Sequence, residues 1–505
     1  MTIAALYPIG FLMAIVSLTL WFRYQEKAVS NFLQLSLLLG LLFFSVSWYM
    51  SEGAWVYKFS VLLRDSLIMA VVPLLVNRIG LSTKNFAVLM IPAGIALSYY
   101  HFAVLQFTFP QTVEATDWEL LVELKPGTDL SALEALIEKH HLVVEPAFPA
   151  AQGEGTDLDD FIAVNVPEHL EPQLSEIMEE FSATGLVDYA ETNETIRIED
   201  PQETQRISRP DERYGMNDPL IGDQWGFESL RMDELYAYLS KNKIRPKKEA
   251  LIAILDTGVD AAHEDLKANF TSTNKKYDAD VQGHGTHCAG IAAAVSNNAK
   301  GVASISPTPD FLEVTSIKVL SNSGIGTQRG IINGIIEAAD SGADVISMSL
   351  GGRATPTRQR AYNEAVAYAN KRGAIVVVAA GNNNGPARQI APANAKGVIT
   401  VTAIGNDERK APFSNTIEGI GMSVAAPGVN IMSTWPNGKY EPKSGTSMAT
   451  PYVSGLVGLM KSIDPDLTTE QAFHILKRTG KQLEDSRSIG GMVQPAAAIT
   501  ELVEK

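Results

Sequence analysis

Five short, mostly apolar runs recur through the second half of the chain: Ile252 to Leu255, Val314 to Leu320, Val345 to Leu350, Ile375 to Ala380 and Val398 to Ala403. They are too short for helices and lack the strict alternation of a half-exposed strand, so they read as strands buried on both faces. Stretches of helical spacing, Thr286 to Val295, Arg329 to Ala339 and Gln359 to Lys371, separate them. That alternation predicts an α/β fold, a parallel sheet with helices on both faces. Ligands of such sheets gather beyond the carboxyl ends of the strands. Asp256 stands at that end of the first run, before Thr257 and Gly258.

Two further stretches carry groups that an aspartate can serve. Gly445-Thr446-Ser447-Met448-Ala449-Thr450-Pro451 is a small-residue turn leading into an apolar stretch, Val453 to Met460, that reads as a buried helix. Ser447 is a candidate nucleophile, but a hydroxyl is weak at its free pKa unless a base takes its proton and a third group orients the base. Gly283-His284-Gly285-Thr286-His287 offers the imidazole. Each piece alone has a structural reading: a turn after a strand, a glycine-rich loop, a helix cap.

The order Asp256, His284, Ser447, with these neighbours, resembles the subtilisin family. The likeness begins near Asn217-Asp218-Pro219-Leu220 and Gln224-Trp225-Gly226 and runs to about Ile499. It implies a subtilisin-like serine endopeptidase over residues 219–505, acting through an acyl-enzyme. Ser447 would attack, His284 (the first His of the pair, not His287) would carry the proton, and Asp256 would hold the imidazole. The matching Asn382 in Ala379-Ala380-Gly381-Asn382 would stabilise the oxyanion together with the backbone N–H of Ser447. Asn383 stands where many relatives carry an acid. Gly324, Ile325 and Gly326 on one side, and Ser349, Leu350 and Gly351 on the other, resemble the edges that clamp an extended substrate. Gly351, Ala380 and Gly381 predict a roomy apolar pocket before the scissile bond, and hence a preference for large apolar residues. Asp265 and Asn298, with the loop 297–302, resemble parts of a structural calcium site; no cofactor is required for the chemistry. Cys288 resembles the buried thiol of the proteinase K-like branch.

The first 110 residues have a different character. Ile3 to Phe22, Phe32 to Met50 and Phe86 to Phe109 each approach the length that crosses a bilayer. Trp55 to Val76, broken by Lys58, Arg64, Asp65 and Pro73, is either a fourth span or an interfacial helix. Four spans place Arg23, Lys27, Arg78 and Lys84 on one side, the cytoplasmic one by charge, and both termini outside. Residues 1–110 are therefore expected to be about four transmembrane helices in lipid, with the catalytic domain extracytoplasmic. Arg64 and Asp65 are the one hint of a sensor or transporter role.

Between these parts, residues 113–200 read as βαββαβ: Trp118 to Leu124, a helix from Leu130 with a Ser131/Glu134 capping box, Val143 to Phe148, Phe161 to Val166, Glu171 to Phe181 and Val187 to Ala190. The order permits a ferredoxin-like sandwich. Its position before the peptidase-like region resembles a subtilisin propeptide, which implies an intramolecular chaperone and inhibitor. Gln152 to Asp160 is expected to be an exposed loop within it. Residues 201–218 lack apolar period and read as a linker with a processing site.

Net charge excludes one partner class. The chain carries −16 overall, and −19 lies beyond residue 110, the wrong sign for holding phosphate backbones. The single cysteine forbids an intrachain disulfide. Peptide or protein substrates remain, with a silent peptide-binding protein or a membrane sensor using the same cleft as the alternatives.

Overall fold

The computed structural model describes residues 119–151, 156–193, 195–198, 212–353 and 359–504, with scattered helical positions between 14 and 41. The chain divides into two units, Met1–Val113 and Glu114–Lys505. Nearly all of the stretches read as membrane spans lie outside the described residues, and among the described residues no helix is long and apolar enough to cross a membrane.

The second unit opens with a small domain: β1 (Glu119–Leu124), α1 (Glu134–Lys139), β2 (Val143–Pro146), β3 (Phe161–Asn165), α2 (Leu174–Ala183) and β4 (Val187–Thr192). Its antiparallel sheet has the order β2-β3-β1-β4, that of a ferredoxin-like sandwich. Leu120, Val122 and Leu124 face Leu133, Ile177 and Phe181 in its own core. The alternate residues face the other way. Leu121, Phe161 and Ala163 pack instead into a core shared with helices of the following domain, so β1 is buried throughout. Two local expectations change here. Asp129, not Ser131, caps the first turn, accepting from Ser131 N at 3.0 Å. The expected exposed loop ends in a 3-10 turn, Asp157–Asp160, whose Leu158 is buried in the shared core; one apolar side chain among acids was enough to pin it.

The chain then forms β5 (Thr195–Arg197), α3 (Met232–Lys241), β6 (Ala250–Asp256), α4 (His284–Ala293), β7 (Leu312–Lys318), β8 (Ile325–Thr327) and α5 (Gln328–Asp340). β9 (Val345–Met348), β10 (Gly352–Arg353), α6 (Arg360–Lys371), β11 (Ile375–Ala379), β12 (Ile390–Ala391), β13 (Val398–Ile404) and β14 (Ser423–Pro427) follow. The described end of the expected linker belongs to this packed body, with Tyr214 and Asp218 buried. A six-stranded parallel sheet, β14-β13-β11-β9-β6-β7, forms its centre. The five apolar runs are five of its strands. From β6 the chain steps outward to β7 and later returns to the other side of β6 with β9, and the carboxyl ends at such a reversal open a crevice.

After β15 (Ile431–Trp435) and β16 (Lys439–Lys443) comes α7 (Thr446–Ile463), buried over nearly its whole length. It lies against the sheet and against α4. Small residues permit this: a Cβ at Gly455 would stand 2.7 Å from the Ala292 carbonyl oxygen. Close seating of α4 and α7 brings their N-termini, and with them His284 and Ser447, to the crevice.

Candidate active site

Asp256 ends β6 and is fully buried. Thr257 N donates to its Oδ1 at 2.8 Å, and both carboxylate oxygens lie 2.8 and 2.9 Å from His284 Nδ1. His284 begins α4. Burial is the largest single influence and opposes a charge on its ring, but the Asp256 carboxylate and Cys288 together outweigh it and hold its pKa well above the usual imidazole value. His287, one turn further, bonds through Nε2 to the Glu441 carbonyl at 2.8 Å, and burial pushes its pKa down to about 3. A group fixed that way cannot serve as the base, which leaves His284.

The loop that brings His284 to Asp256 is held by Asp280. Its Oδ1 accepts from Thr257 Oγ1 and from the N–H groups of Gln282 and Gly283, and its Oδ2 from both N and Oγ1 of Thr286.

Ser447 lies in the first turn of α7, where orphan backbone N–H groups and the helix dipole favour negative charge. Its Oγ donates to the Ser349 carbonyl at 3.2 Å, while Ser349 Oγ donates to the Ser447 carbonyl at 2.8 Å. Cys288 Sγ is 4.0 Å from His284 Nδ1 and 3.6 Å from the Ser447 carbonyl, so this buried thiol packs between the two. Asn382 follows β11 by three residues. Its Oδ1 accepts from Thr446 N and Thr446 Oγ1, both at 2.9 Å, which sets the amide and leaves its Nδ2 near Gly445.

A cavity of about 330 Å³ adjoins these groups, lined by Ser447, Asn382, Gly351, Gly381, Ser349 and Leu350 among others. Ala380 does not line it: fully buried, it donates its N–H to Val401 O and accepts from Asn415 Nδ2, and Ala379 takes the expected place. Arg353 and Ile390 also line the cavity, and neither was expected.

The cleft contains a segment of this same chain. β5 pairs antiparallel with β8, Ile196 opposite Gly326 and Arg197 opposite Ile325, and Ile198 N donates to Gly324 O at 3.0 Å. On the other edge, a Cβ at Gly352 would stand 3.0 Å from Ile196 Cγ1. Gly324, Ile325 and Gly326 thus form one wall of a peptide-binding groove, and Ser349 to Gly352 face it.

Asp265 and Asn298 also meet. Asn298 Nδ2 donates to Asp265 Oδ1 at 2.7 Å and Val302 N to Oδ2 at 2.8 Å. Asp218, which sequence reading assigned to the linker, accepts from Asn297 N and Asn298 N on the same loop. Burial, aided by the charge on Asp218, pushes Asp265 up to about 7. Two buried carboxylates and a carboxamide meet here, oxygen donors of the kind that suits a hard cation.

The sequence profile of the subtilase family matches residues 247–491, a stretch that contains Asp256, His284, Asn382 and Ser447. Thermitase from Thermoactinomyces vulgaris is 40% identical over 49% of this chain and 86% of its own. The chain belongs to the subtilase family. A thermophilic serine proteinase from a Bacillus species is 44% identical over 42% of the chain and 52% of its own. A solved protease from Pseudoalteromonas arctica superposes with a TM-score of 0.50 at 29% identity, covering 57% of this chain and 99% of that one. This subtilase is a serine endopeptidase, a hydrolase of peptide bonds.

Proposed function

We propose that this subtilase hydrolyses peptide bonds with Ser447 as nucleophile, His284 as general base and then acid, and Asp256 as the group that orients the ring. The observation that carries the reading is the buried Asp256–His284 pair: with Nδ1 held by the carboxylate, the proton from Ser447 has only Nε2 to go to. Rotation of Ser447 Oγ away from the Ser349 carbonyl precedes attack. Asn382 Nδ2 and the Ser447 N–H then receive the oxyanion at the positive end of α7. A fluorophosphonate probe should label the wild type and not Ser447→Ala. Equal labelling of both would remove Ser447 from the mechanism, and labelling of neither would favour a silent peptide binder.

The small domain is proposed as a propeptide that inhibits in cis. The support is β5, which fills the groove as a substrate strand would. Ile198 and Ser447 line the same cavity, which supports a cut one or two residues beyond Ile198. The proposed cut is thus at the very start of the linker rather than deep within it.

Calcium is proposed at Asp218, Asp265 and Asn298, with a structural role. The N-terminal 110 residues are proposed to tether the enzyme in a membrane by about four helices, catalytic domain outside, on the strength of their apolar runs and the placement of Arg23, Lys27, Arg78 and Lys84.

A further inference from the structure

The segment Thr195–Ile198 meets two pockets that differ in kind. One is deep. Ile196 is fully buried, joins the apolar core that contains Leu320 and Leu350, and lies against Gly326 on one edge and Gly352 on the other. On the Gly352 edge a Cβ would stand 3.0 Å from Ile196 Cγ1, so glycine there leaves the space to the branched apolar residue of the bound strand.

The other pocket lies beside Ser447, between the backbones of Gly351 and Gly381. Two glycine walls suggest room for a large side chain, but the room is taken. Ile390, at the start of β12, puts its Cγ2 2.8 Å from where a Cβ of Gly351 would stand and its Cγ1 3.1 Å from that of Gly381. Its two branches touch both walls. Ile390 lines the same cavity as Ser447 and Asn382, and it is only 6% exposed. An aromatic ring entering between Gly351 and Gly381 would have to displace a packed, β-branched side chain with little rotamer freedom. A methyl or hydroxymethyl group would not.

We propose that Ile390 plugs the pocket for the residue immediately before the scissile bond, so that this subtilase rejects aromatic side chains there and selects its substrates by a branched apolar residue at the place of Ile196. The inference rests on the reading of this groove as the peptidase site with Ser447 as nucleophile. It reverses the preference for large apolar residues that the glycines alone suggest.

The test compares peptides that share a sequence with isoleucine at the place of Ile196 and differ only in alanine or phenylalanine before the cleaved bond. Mass spectrometry identifies the bond cut, and rates are expressed per active site titrated with a fluorophosphonate, so that loss of folded enzyme does not enter. Wild type should favour alanine by about tenfold or more in kcat/KM. Ile390→Gly should reverse the ratio, chiefly by lowering KM for the phenylalanine peptide, and the milder Ile390→Val should move it part of the way. Replacing the upstream isoleucine by aspartate should cut kcat/KM about tenfold or more in every variant. Wild type that cuts equally well after phenylalanine, or a ratio unchanged in titrated Ile390→Gly and Ile390→Val, overturns the plug. Absence of any Ser447-dependent labelling or cleavage would overturn the peptidase reading, and the plug with it.

Discussion

Asn382 sits at the bottom of a chain of small constraints. Thr446 donates to its Oδ1 twice, from N and from Oγ1, and Thr446 Oγ1 in turn accepts from Gly381 N at 3.1 Å. The amide is therefore oriented before any substrate arrives, which is the condition under which a donor stabilises a developing oxyanion without reorganising. Asn382→Ala should lower kcat on the order of 10²- to 10³-fold while KM stays within a small factor, since the amide is required mainly in the transition state. Steady-state kinetics on titrated enzyme check this, and a loss confined to KM would contradict the role. Asp256, His284, Ser447 and Asn382 were all legible in the sequence because each sits on a strand end or a small-residue turn whose local composition is tied to its chemistry. Ala380 was misplaced: next to Gly381 in sequence, it turns its atoms into the sheet, and Ala379 faces the cavity instead. Asp218 and Ile390 could not be found that way, because each reaches its site from a distant segment and nothing local marks it.

At the scale of elements, β1 does two jobs at once. Its even-numbered residues fill the small domain's own core, while Glu119, Leu121 and Glu123 face the catalytic domain. Arg329 at the start of α5 pairs with Glu119 at 3.3 Å and with Glu145 at 2.8 Å, and Arg360 of α6 lies 2.8 Å from Glu123. The sequence showed β1 as a strand by its alternation, but no alternation reveals that the polar half is also covered. Burial raises Glu123 to about 7, opposed by Arg360 and reinforced by Asp188, Glu364 and Asp157. A carboxyl raised in the packed state favours packing while protonated; its contribution is complete below the ordinary value near 4.5 and is lost as pH climbs through about 7. Hydrogen exchange of β1 in uncut Ser447→Ala protein should therefore quicken from pH 4.5 to 8 beyond the intrinsic chemical rate, and Glu123→Gln should flatten that trend. An unchanged trend in the Gln variant would show that other groups set the interface. The loop 297–302 allows a parallel test. Chelation should lower Tm by several degrees, as removal of a ligand bound only to the native state does, and Asp265→Asn should abolish the response. Identical melting with and without calcium would refute the site.

On the scale of the whole molecule, the decisive fact is that one covalent chain supplies both the groove and the strand that fills it. Thr195 to Ile198 is clamped against Gly324 to Thr327, and the domain before it is anchored by Arg329, Gln328 and Arg360. Such an arrangement would be self-blocking as long as the chain is continuous, because the strand's effective concentration is that of a tethered partner. Cleavage just beyond Ile198 would change this, leaving the strand as a product that competes with substrate only by its own affinity. It would also separate the catalytic domain from the first 110 residues, so a tethered enzyme becomes a released one in the same step. Expression of wild type and Ser447→Ala with a C-terminal tag tests both ideas together. Wild type should yield a tagged fragment of about 300 residues, its N-terminus within one or two residues of Ile198, recovered outside the membrane fraction and, in intact cells, in the medium. Ser447→Ala should remain full length and sediment with membranes, its tag open to added protease from outside. Active wild type that is never cut would rule out release, and full-length Ser447→Ala found in the soluble fraction would rule out the tether.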